Sequence, residues 1–447
     1  MIAACTGRVR GPILPKMAGD GLYRAAGRIL KDVCDGRGTF KTLCFSKAPS
    51  SAAARIQNKK GLFAMAIETG RRYPLLTAVL DASQILEQPQ ARRLKLDRFT
   101  VLVVLHEFLL GKGSLHCSPP VKAFIEASRT RLHAELVRAR MALHRQGLPE
   151  AYAVDQEKAR YARINRCLVT DTDDHSRVLQ EVTALQPPSH DPDVPDLLVL
   201  PAGTDLSRTA CFTEGKLVLQ DKASCFPPVI LQPPPGAHVI DACAAPGNKT
   251  SQLAAMVGPT GRVYAFERDA HRYQLLAQRM AHLVPGAKGQ PSSTTAIHGD
   301  FLAQPPDDPR FAHVTHILCD PSCSGSGMAM SLERALTQRK PNAAAEAARL
   351  RSLADFQYAI VAHAMKFPGV QRIAYSTCSV HSIENEEVVE RLLRANPAFE
   401  LEPGVLPSWP QRGLPAFPFA SDVLRSDPAV PGGTNIGFFV ALLRRRK

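Results

Sequence analysis

Two cysteines lie in short motifs of small and hydroxylated residues, which are typical of loops that follow strands. Cys323 lies in Asp-Pro-Ser-Cys-Ser-Gly-Ser-Gly (320–327), and Cys378 lies in Tyr-Ser-Thr-Cys-Ser (375–379). A cysteine thiolate can act as a nucleophile in covalent catalysis. Both are therefore candidate catalytic residues. A lone cysteine is more often a small buried core residue, and we interpret eight others in that way: Cys5, Cys34, Cys44, Cys117, Cys167, Cys211, Cys225 and Cys319.

A third motif, Asp241–Thr250, predicts a strand, a glycine-bearing loop and a helix. Gly247 lets the backbone approach a ligand closely, and the first amides of the helix favour negative charge. The motif lacks GxGxxG, and many tight strand-to-helix turns look similar, so it is a weak signal by itself. The candidate ligand-binding residues are Cys243, Ala244, Ala245, Pro246, Gly247, Asn248 and Lys249.

Carboxylates end or directly follow four consecutive predicted strands: Asp241, Glu267, Asp300 and Asp320. In a parallel sheet with helical crossovers these positions meet at one edge, where ligands bind. A carboxylate at the tip of the second strand is where a ribose diol is held, which assigns that role to Glu267. Arg272 lies one turn into the next helix and contacts either the ribose or only solvent.

The residues from Gly236 onward alternate between strand and helix patterns. Strands are predicted at 238–242, 262–267, 294–298, 314–320 and 372–377, with helices at 249–257, 270–283, 342–366 and 384–394. This alternation predicts a doubly wound, Rossmann-like α/β domain. We expect an extension or disordered start at 1–20, a helical basic domain at 21–150, a small α+β module at 155–230 and the catalytic domain at 231–447.

The charge is concentrated in the N-terminal third. Residues 1–150 hold 25 of the 55 Lys and Arg residues and 11 of the 41 Asp and Glu residues, which accounts for the whole net charge of +14. A segregated basic surface favours a bound polyanion over a surface that only aids solubility. We therefore predict that the helical domain binds nucleic acid.

Cysteine spacing and hydropathy exclude several classes. The 11 cysteines have no regular spacing and include no CxxC pair, which argues against a disulfide framework and against a structural zinc site. No apolar run is long enough to span a bilayer, so no membrane association is expected. The acid-free start before Asp20 is either a weak mitochondrial presequence or an extension upstream of Met17. An intracellular, reducing compartment is expected.

The three motifs together resemble the Sun-domain (RsmB-type) RNA cytosine-5 methyltransferases. The resemblance extends from about Arg160 to the C terminus and includes Leu-Gln-Asp-Lys-Ala-Ser (219–224). The forms Pro-Gly-Asn-Lys and Pro-Ser-Cys, and the helical start at Gly21, are most similar to the fifth eukaryotic branch of the family, which methylates large-subunit rRNA. The chain departs from the family at two places: the family usually has Ala-Pro-Cys where this chain has Pro321-Ser322-Cys323, and it usually has Asp where Glu267 stands.

The resemblance implies an activity and a set of roles. It implies that the glycine loop binds S-adenosyl-L-methionine, that the Cys378 thiolate attacks C6 of cytosine, that Cys323 aids product release, and that Asp320, also in the cofactor set, contacts the base. An attacking thiolate is needed because cytosine C5 is a poor nucleophile until C6 is substituted, and the base must be flipped from any stack. The implied partner is rRNA in pre-ribosomal particles, the implied location is the nucleus and nucleolus, and we expect a monomer without metal.

Three alternatives stay open. One is methylation of another RNA, such as tRNA. A second is DNA cytosine methylation, which would place the nucleophile in the earlier cysteine loop directly after proline and would leave Cys378 unexplained. A third is a non-catalytic ribosome-assembly factor with a methyltransferase fold; because both cysteines and the glycine loop are intact, this is expected only as an added role.

Overall fold

The computed structural model describes residues 20–46, 48, 51–54, 56–111, 115–146, 158–286, 291–328, 332–337, 343–427, 430 and 434–446. Contacts group the chain into two compact units, one of residues 1–154 and 330–340, the other of residues 155–329 and 341–447. This grouping does not separate the segments on either side of residue 230, and it assigns 330–340 to the helical unit. The predicted start at 1–20 lies, apart from Asp20, outside the described residues.

The first unit contains a helical bundle around α6, whose positions 100–105 and 108 are buried. Asp97 caps this helix by accepting a hydrogen bond from the Thr100 N–H at 3.0 Å. A Cβ on Gly27 would lie 2.7 Å from the Thr100 nitrogen, so a glycine permits the close approach of α1 to α6. The helices are α1 (Asp20–Cys34), α2 (Phe40–Cys44), α3 (Lys59–Arg71), α4 (Tyr73–Ser83), α5 (Pro89–Arg93), α6 (Arg98–Leu109), α7 (Pro119–Ala127) and α8 (Arg129–Arg145).

A four-stranded antiparallel sheet, in the order β2-β3-β1-β4, begins the second unit. The proline-rich segment 187–195 contains the short strand β2, because Ser189 and His190 pair with β3. The elements are β1 (Arg160–Ile164), α9 (Thr172–Leu185), β2 (Ser189–His190), β3 (Leu197–Leu200), α10 (Ala210–Thr213) and β4 (Leu217–Leu219).

The catalytic sheet has eight strands in the order β10-β12-β9-β8-β5-β6-β7, with β11 paired to β12. Strands β5 to β9 are mutually parallel, and β12 is antiparallel to β9. The elements are α11 (Lys222–Leu231), β5 (His238–Asp241), α12 (Asn248–Val257), β6 (Arg262–Glu267), α13 (Ala270–Leu283), β7 (Thr294–His298), β8 (Val314–Cys319), α14 (Leu332–Thr337), α15 (Ala343–Ala364), β9 (Arg372–Thr377), α16 (Glu386–Ala395), β10 (Phe399–Leu401), β11 (Val423–Ser426) and β12 (Phe438–Arg445).

The direction of chain progression through this sheet reverses between β5 and β8. Helices cover both faces, and apolar clusters lie on each side of the strands. Loops diverge at such a reversal and leave a crevice at the carboxyl ends of the strands. The predicted doubly wound Rossmann-like fold is therefore confirmed, and it places the candidate residues at the mouth of this crevice.

The proline-rich segment 403–418 is anchored to the protein interior. Its tryptophan, Trp409, is only 2% exposed. Its indole N–H donates to the Arg425 carbonyl at 2.7 Å, and its ring packs edge-on against Phe226 at 5.0 Å. Burial of a tryptophan with its N–H satisfied accounts for the ordered path of this segment.

Candidate active site

A cavity of about 500 Å³ lies at the carboxyl edge of the parallel strands, within the second unit. Both predicted catalytic cysteines and most of the predicted cofactor residues line it. The sequence-predicted residues in its wall are Cys243, Ala245, Pro246, Lys249, Glu267, Arg272, Asp300, Asp320, Cys323 and Cys378. Convergence of a loop and titratable groups in one large cavity is typical of an active site.

Three predicted cofactor residues, Ala244, Gly247 and Asn248, do not line the cavity. Gly247 has φ +101°, and a Cβ there would lie 2.6 Å from the Met280 methyl carbon, so this glycine serves the turn and the packing of α13. The Asn248 side chain donates to the Leu219 carbonyl and accepts from Arg279. Gly247 and Asn248 therefore fix the conformation of the loop through contacts on the side away from the cavity.

Asp241 lies behind the loop, at the end of β5. Its Oδ2 accepts a 2.7 Å hydrogen bond from the Thr250 hydroxyl, whereas its buried Oδ1 has no partner among the described residues. Burial raises the pKa of Asp241 to about 6. An unsatisfied buried acceptor is costly, so this atom marks a place where a polar ligand or water fits.

Glu267 ends β6 in the wall of the cavity and is 6% exposed. Its Oε1 accepts the Asp269 N–H at 2.9 Å, and its Oε2 lies 3.2 Å from the Arg272 guanidinium. Asp269 caps α13 by accepting a hydrogen bond from the Arg272 N–H, which fixes the position of Arg272 in the first turn of the helix. Arg272 also donates to the Ala245 carbonyl at 2.9 Å and so connects the glycine loop to Glu267. Each carboxylate oxygen retains a lone pair for a hydroxyl donor.

Lys249 and Asp320 form an ion pair across the β5–β8 crevice. The Lys249 Nζ lies 2.7 Å from Asp320 Oδ2, and the Ser376 hydroxyl donates to Asp320 Oδ1 at 2.6 Å. Although burial opposes a charge on Lys249, the Asp320 carboxylate raises the lysine pKa. The pair therefore presents a fixed ammonium and a fixed carboxylate to anything in the cavity. We did not predict Ser376, although it directly precedes the Thr-Cys pair.

The two cysteines converge although 55 residues separate them in the chain. Their Sγ atoms lie 3.1 Å apart. A hydrogen bond from the Cys323 thiol lowers the pKa of Cys378; burial and the Asp320 charge oppose this shift, and the Lys249 charge supports it. The same hydrogen bond, together with burial, raises the pKa of Cys323. Either sulfur can donate in this contact; the opposite pKa shifts favour Cys323 as the thiol donor and Cys378 as the thiolate acceptor.

Two glycines hold the Cys323 loop against the start of β12. The Gly327 N–H donates to the Cys378 carbonyl at 2.9 Å, and the Gly437 N–H donates to the Gly327 carbonyl at 2.6 Å. A Cβ on Gly327 would lie 2.1 Å from the Gly437 carbonyl oxygen. The backbones can approach this closely only because neither residue has a side chain.

The described residues were compared with the requirements of a metal site and of a membrane span. No group of three or more metal-ligating side chains converges in the described part of the chain. Among the residues that the structure describes, no helix is long and apolar enough to span a bilayer. All ten described cysteines are free thiols.

Comparison with known proteins places the chain in a family. The family model "16S rRNA methyltransferase RsmB/F" matches residues 228–444, and that of the "NOL1/NOP2/Sun domain family member 5, N-terminal domain" matches residues 60–146. A 28S rRNA (cytosine-C(5))-methyltransferase from Mus musculus is 38% identical over 95% of this chain and 91% of its own length. The 25S rRNA (cytosine-C(5))-methyltransferase NSUN5 from Arabidopsis thaliana is 36% identical over 94% of this chain and 72% of its own.

The solved structures agree at the level of the fold. A methyltransferase homolog protein from Pyrococcus horikoshii superimposes with a TM-score of 0.52, at 21% identity, over 81% of this chain and 99% of that protein. Together with the identity over most of the chain, the two matching models confirm the resemblance that the loop motifs carried. The chain belongs to the RsmB/F family of rRNA methyltransferases, with an N-terminal domain of the NOL1/NOP2/Sun family member 5 type.

Proposed function

We propose that this protein is an S-adenosyl-L-methionine-dependent methyltransferase that forms 5-methylcytosine in large-subunit rRNA. The observation that carries the proposal is that the glycine loop, Glu267 and the two cysteines share one cavity. Its relatives from mouse and Arabidopsis are named 28S and 25S rRNA (cytosine-C(5))-methyltransferases. Bisulfite sequencing of rRNA, with and without the active protein in the same cells, tests it. One large-subunit cytosine should lose its methyl group, and unchanged rRNA would contradict the proposal.

The cavity wall fits the cofactor. Glu267 offers two carboxylate oxygens for a ribose diol, and Cys243, Ala245 and Pro246 give the wall beside it. Arg272 is better explained as a positioning residue, because its guanidinium binds Glu267 and the Ala245 carbonyl. Asp300 lies further along the wall. When bound, S-adenosyl-L-methionine supplies the methyl group.

Cys378 acts as the nucleophile. Its thiolate adds to C6 of a flipped cytosine, which makes C5 nucleophilic enough to accept a methyl group. A base then takes the C5 proton, the electron pair of that C–H bond re-forms the C5–C6 double bond, and the sulfur leaves C6 as the Cys378 thiolate. The hydrogen bond from Cys323 and the charge of Lys249 support the thiolate before attack.

Lys249 and Asp320 orient the base and stabilise charge that develops on it. The ammonium is fixed by Asp320, and Asp320 is fixed by Ser376. A preorganised donor and acceptor in a closed cavity lower the barrier because they need no rearrangement during reaction. Cys323, 3.1 Å from Cys378, is placed to assist the release of the methylated product.

The helical unit binds RNA through its basic surface, and the arginine-rich helix α8 contributes most to this binding. Arg131, Arg138 and Arg145 recur every seventh residue, which places them along one side of the helix, and all three are exposed. Val137 and Met141 on the same helix are also exposed. Phosphates bind arginine forks, and each neutralised phosphate releases counterions.

Replacing these three arginines by alanine in the full-length protein tests the RNA-binding role of α8. RNA affinity should fall, and the slope of log affinity against log salt should flatten by about 2 to 3. A matched control removes Arg349, Arg391 and Arg394, exposed arginines that each pair with an acidic residue in the second unit. Equal losses in the two variants would refute a specific role of α8.

The family membership supports a proposal for where in the cell this protein acts. An rRNA methyltransferase acts on pre-ribosomal particles, so we place this protein in the nucleus and nucleolus, acting as a monomer. A second candidate function is that of an assembly factor that also binds the particle without methylating it. Ribosome-subunit profiles of cells with Cys378→Ala distinguish the two, because only the assembly role survives loss of the nucleophile.

A further inference from the structure

Both cysteine loops are fixed to one buried carboxylate that lies outside the cavity. Glu384 is fully buried and does not line the cavity. Its Oε1 accepts the Ser324 N–H at 2.8 Å, and its Oε2 accepts the Ser379 hydroxyl at 2.6 Å. Ser324 directly follows Cys323, and Ser379 directly follows Cys378. One carboxylate thus holds the residue after each cysteine.

A buried carboxamide on α15 completes the arrangement. The Gln357 Nε2 donates to Glu384 Oε1 at 3.0 Å and to the Ser322 carbonyl at 3.2 Å. Cys323 is therefore held at both of its neighbours. The Tyr375 hydroxyl, on β9, donates to the Glu384 carbonyl. We call Glu384, Gln357, Ser324 and Ser379 the loop clamp.

Because Glu384 is charged and buried, the loop clamp is stable only while the carboxylate keeps its hydrogen-bond donors. Burial alone would favour the neutral acid, but the hydrogen bonds from Ser324, Ser379 and Gln357 lower the pKa of Glu384. A buried carboxylate is stable only while its donors stay in place. If either loop moved away, the charge would lose one of its donors, so each loop restrains the other. The 3.1 Å separation of the thiols follows from this restraint.

We propose that Glu384, supported by Gln357, is a positioning residue that sets the distance between the two active-site thiols. The inference rests on the proposed roles of Cys378 and Cys323, since a reaction that uses both thiols needs them within reach of one base carbon. Glu384 touches neither substrate nor cofactor. It acts through the loops.

The test replaces Glu384 by glutamine, which keeps the shape but substitutes an amide donor for one acceptor oxygen. The first readout is the rate at which diamide, which takes up two electrons and two protons, joins Cys323 and Cys378 in a disulfide, followed by peptide mass spectrometry. We expect at least a tenfold slower rate in Glu384→Gln. Methylation should lose about 100-fold in kcat, as expected for misplaced reacting groups, with the KM for S-adenosyl-L-methionine unchanged.

Glu387→Gln is the matched control. Glu387 lies three residues from Glu384, and its carboxylate accepts the Ser382 hydroxyl instead of a donor of the loop clamp. It should leave both readouts within twofold of the parent protein. Should Glu384→Gln fail to fold, Ser379→Ala leaves the carboxylate in place and removes the donor to Oε2, together with the hydroxyl's contacts to Ser324, Ser326 and the His381 N–H. It should slow disulfide formation in the same direction. A normal disulfide rate in whichever variant folds would overturn the proposal.

The disulfide readout separates this proposal from the proposed function. Its rate depends on thiol separation and needs neither RNA nor methyl transfer. If the parent protein forms the disulfide rapidly, the variants do not, and no RNA is methylated, the clamp stands and the proposed function fails. If methylation proceeds and the disulfide rate is insensitive to Glu384, the clamp is refuted alone.

Discussion

Glu267→Ala is the substitution that tests cofactor placement most fully. The carboxylate is buried in the cavity wall and can accept two ribose hydroxyls in addition to its bonds to Asp269 and Arg272. A hydrogen bond to a charged group contributes about 1.5 to 3 kcal/mol. Loss of the ribose acceptor should therefore weaken binding by roughly 10- to 150-fold. Arg272 is about half exposed, so water can replace its lost partner and the fold should survive.

The assay is titration calorimetry of the full-length protein with S-adenosylhomocysteine, which binds without being consumed. Glu181→Ala is the matched control, since Glu181 also accepts backbone N–H groups but lies outside the cavity. That control should bind normally. Unchanged affinity in Glu267→Ala, with melting behaviour like that of the control, would refute the ribose role.

Two further substitutions test the framework around the site. Because the folded pKa of Asp241, about 6, lies above its unfolded value, folding takes up a proton and stability falls as the pH rises from about 4 to 6. Asp241→Asn should remove a cost of about 3 kcal/mol at pH 8 and change little at pH 4, measured by denaturant unfolding; a variant that is less stable at pH 8 would contradict this. Gly327→Ala should displace the Cys323 loop and lower activity at least tenfold, because its Cβ would lie 2.1 Å from the Gly437 oxygen. Gly21→Ala is its control, because a Cβ on Gly21 would meet no atom within 4 Å and its backbone is not left-handed, and equal activities would refute the constraint.

The sequence predicted the residues that lie at strand ends. Alternation of apolar strands with helices, and acidic or cysteine residues directly after them, sufficed to predict that Glu267, Asp320, Cys323 and Cys378 meet at one edge. The predicted strand 314–320 corresponds to β8, and 372–377 corresponds to β9. Local patterns carry this information because parallel strands with helical crossovers place their carboxyl ends together.

The sequence did not predict contacts between distant segments. Glu384 begins the predicted helix 384–394, and nothing in the local pattern shows that it is fully buried with donors from residues 324, 357 and 379. The basic stretch 121–146 divides at Ser128 into α7 and α8, a break that its amphipathic pattern does not mark. Gly247 was assigned to ligand approach, whereas the side chain of Met280 occupies that space. The burial of Glu384, the helix break at Ser128 and the packing at Gly247 each depend on contacts between distant segments, which hydrophobic periodicity does not encode.

The separate roles of the two cysteines are the central claim, and denaturing gels of the protein with its RNA substrate and S-adenosyl-L-methionine test it directly. Cys323→Ala should accumulate a stable protein–RNA adduct, because Cys378 still attacks C6 while release is slowed. Cys378→Ala should form neither adduct nor 5-methylcytosine, since only the attacking thiolate bonds to C6. An adduct that persists in Cys378→Ala and disappears in Cys323→Ala would reverse the roles and contradict the account.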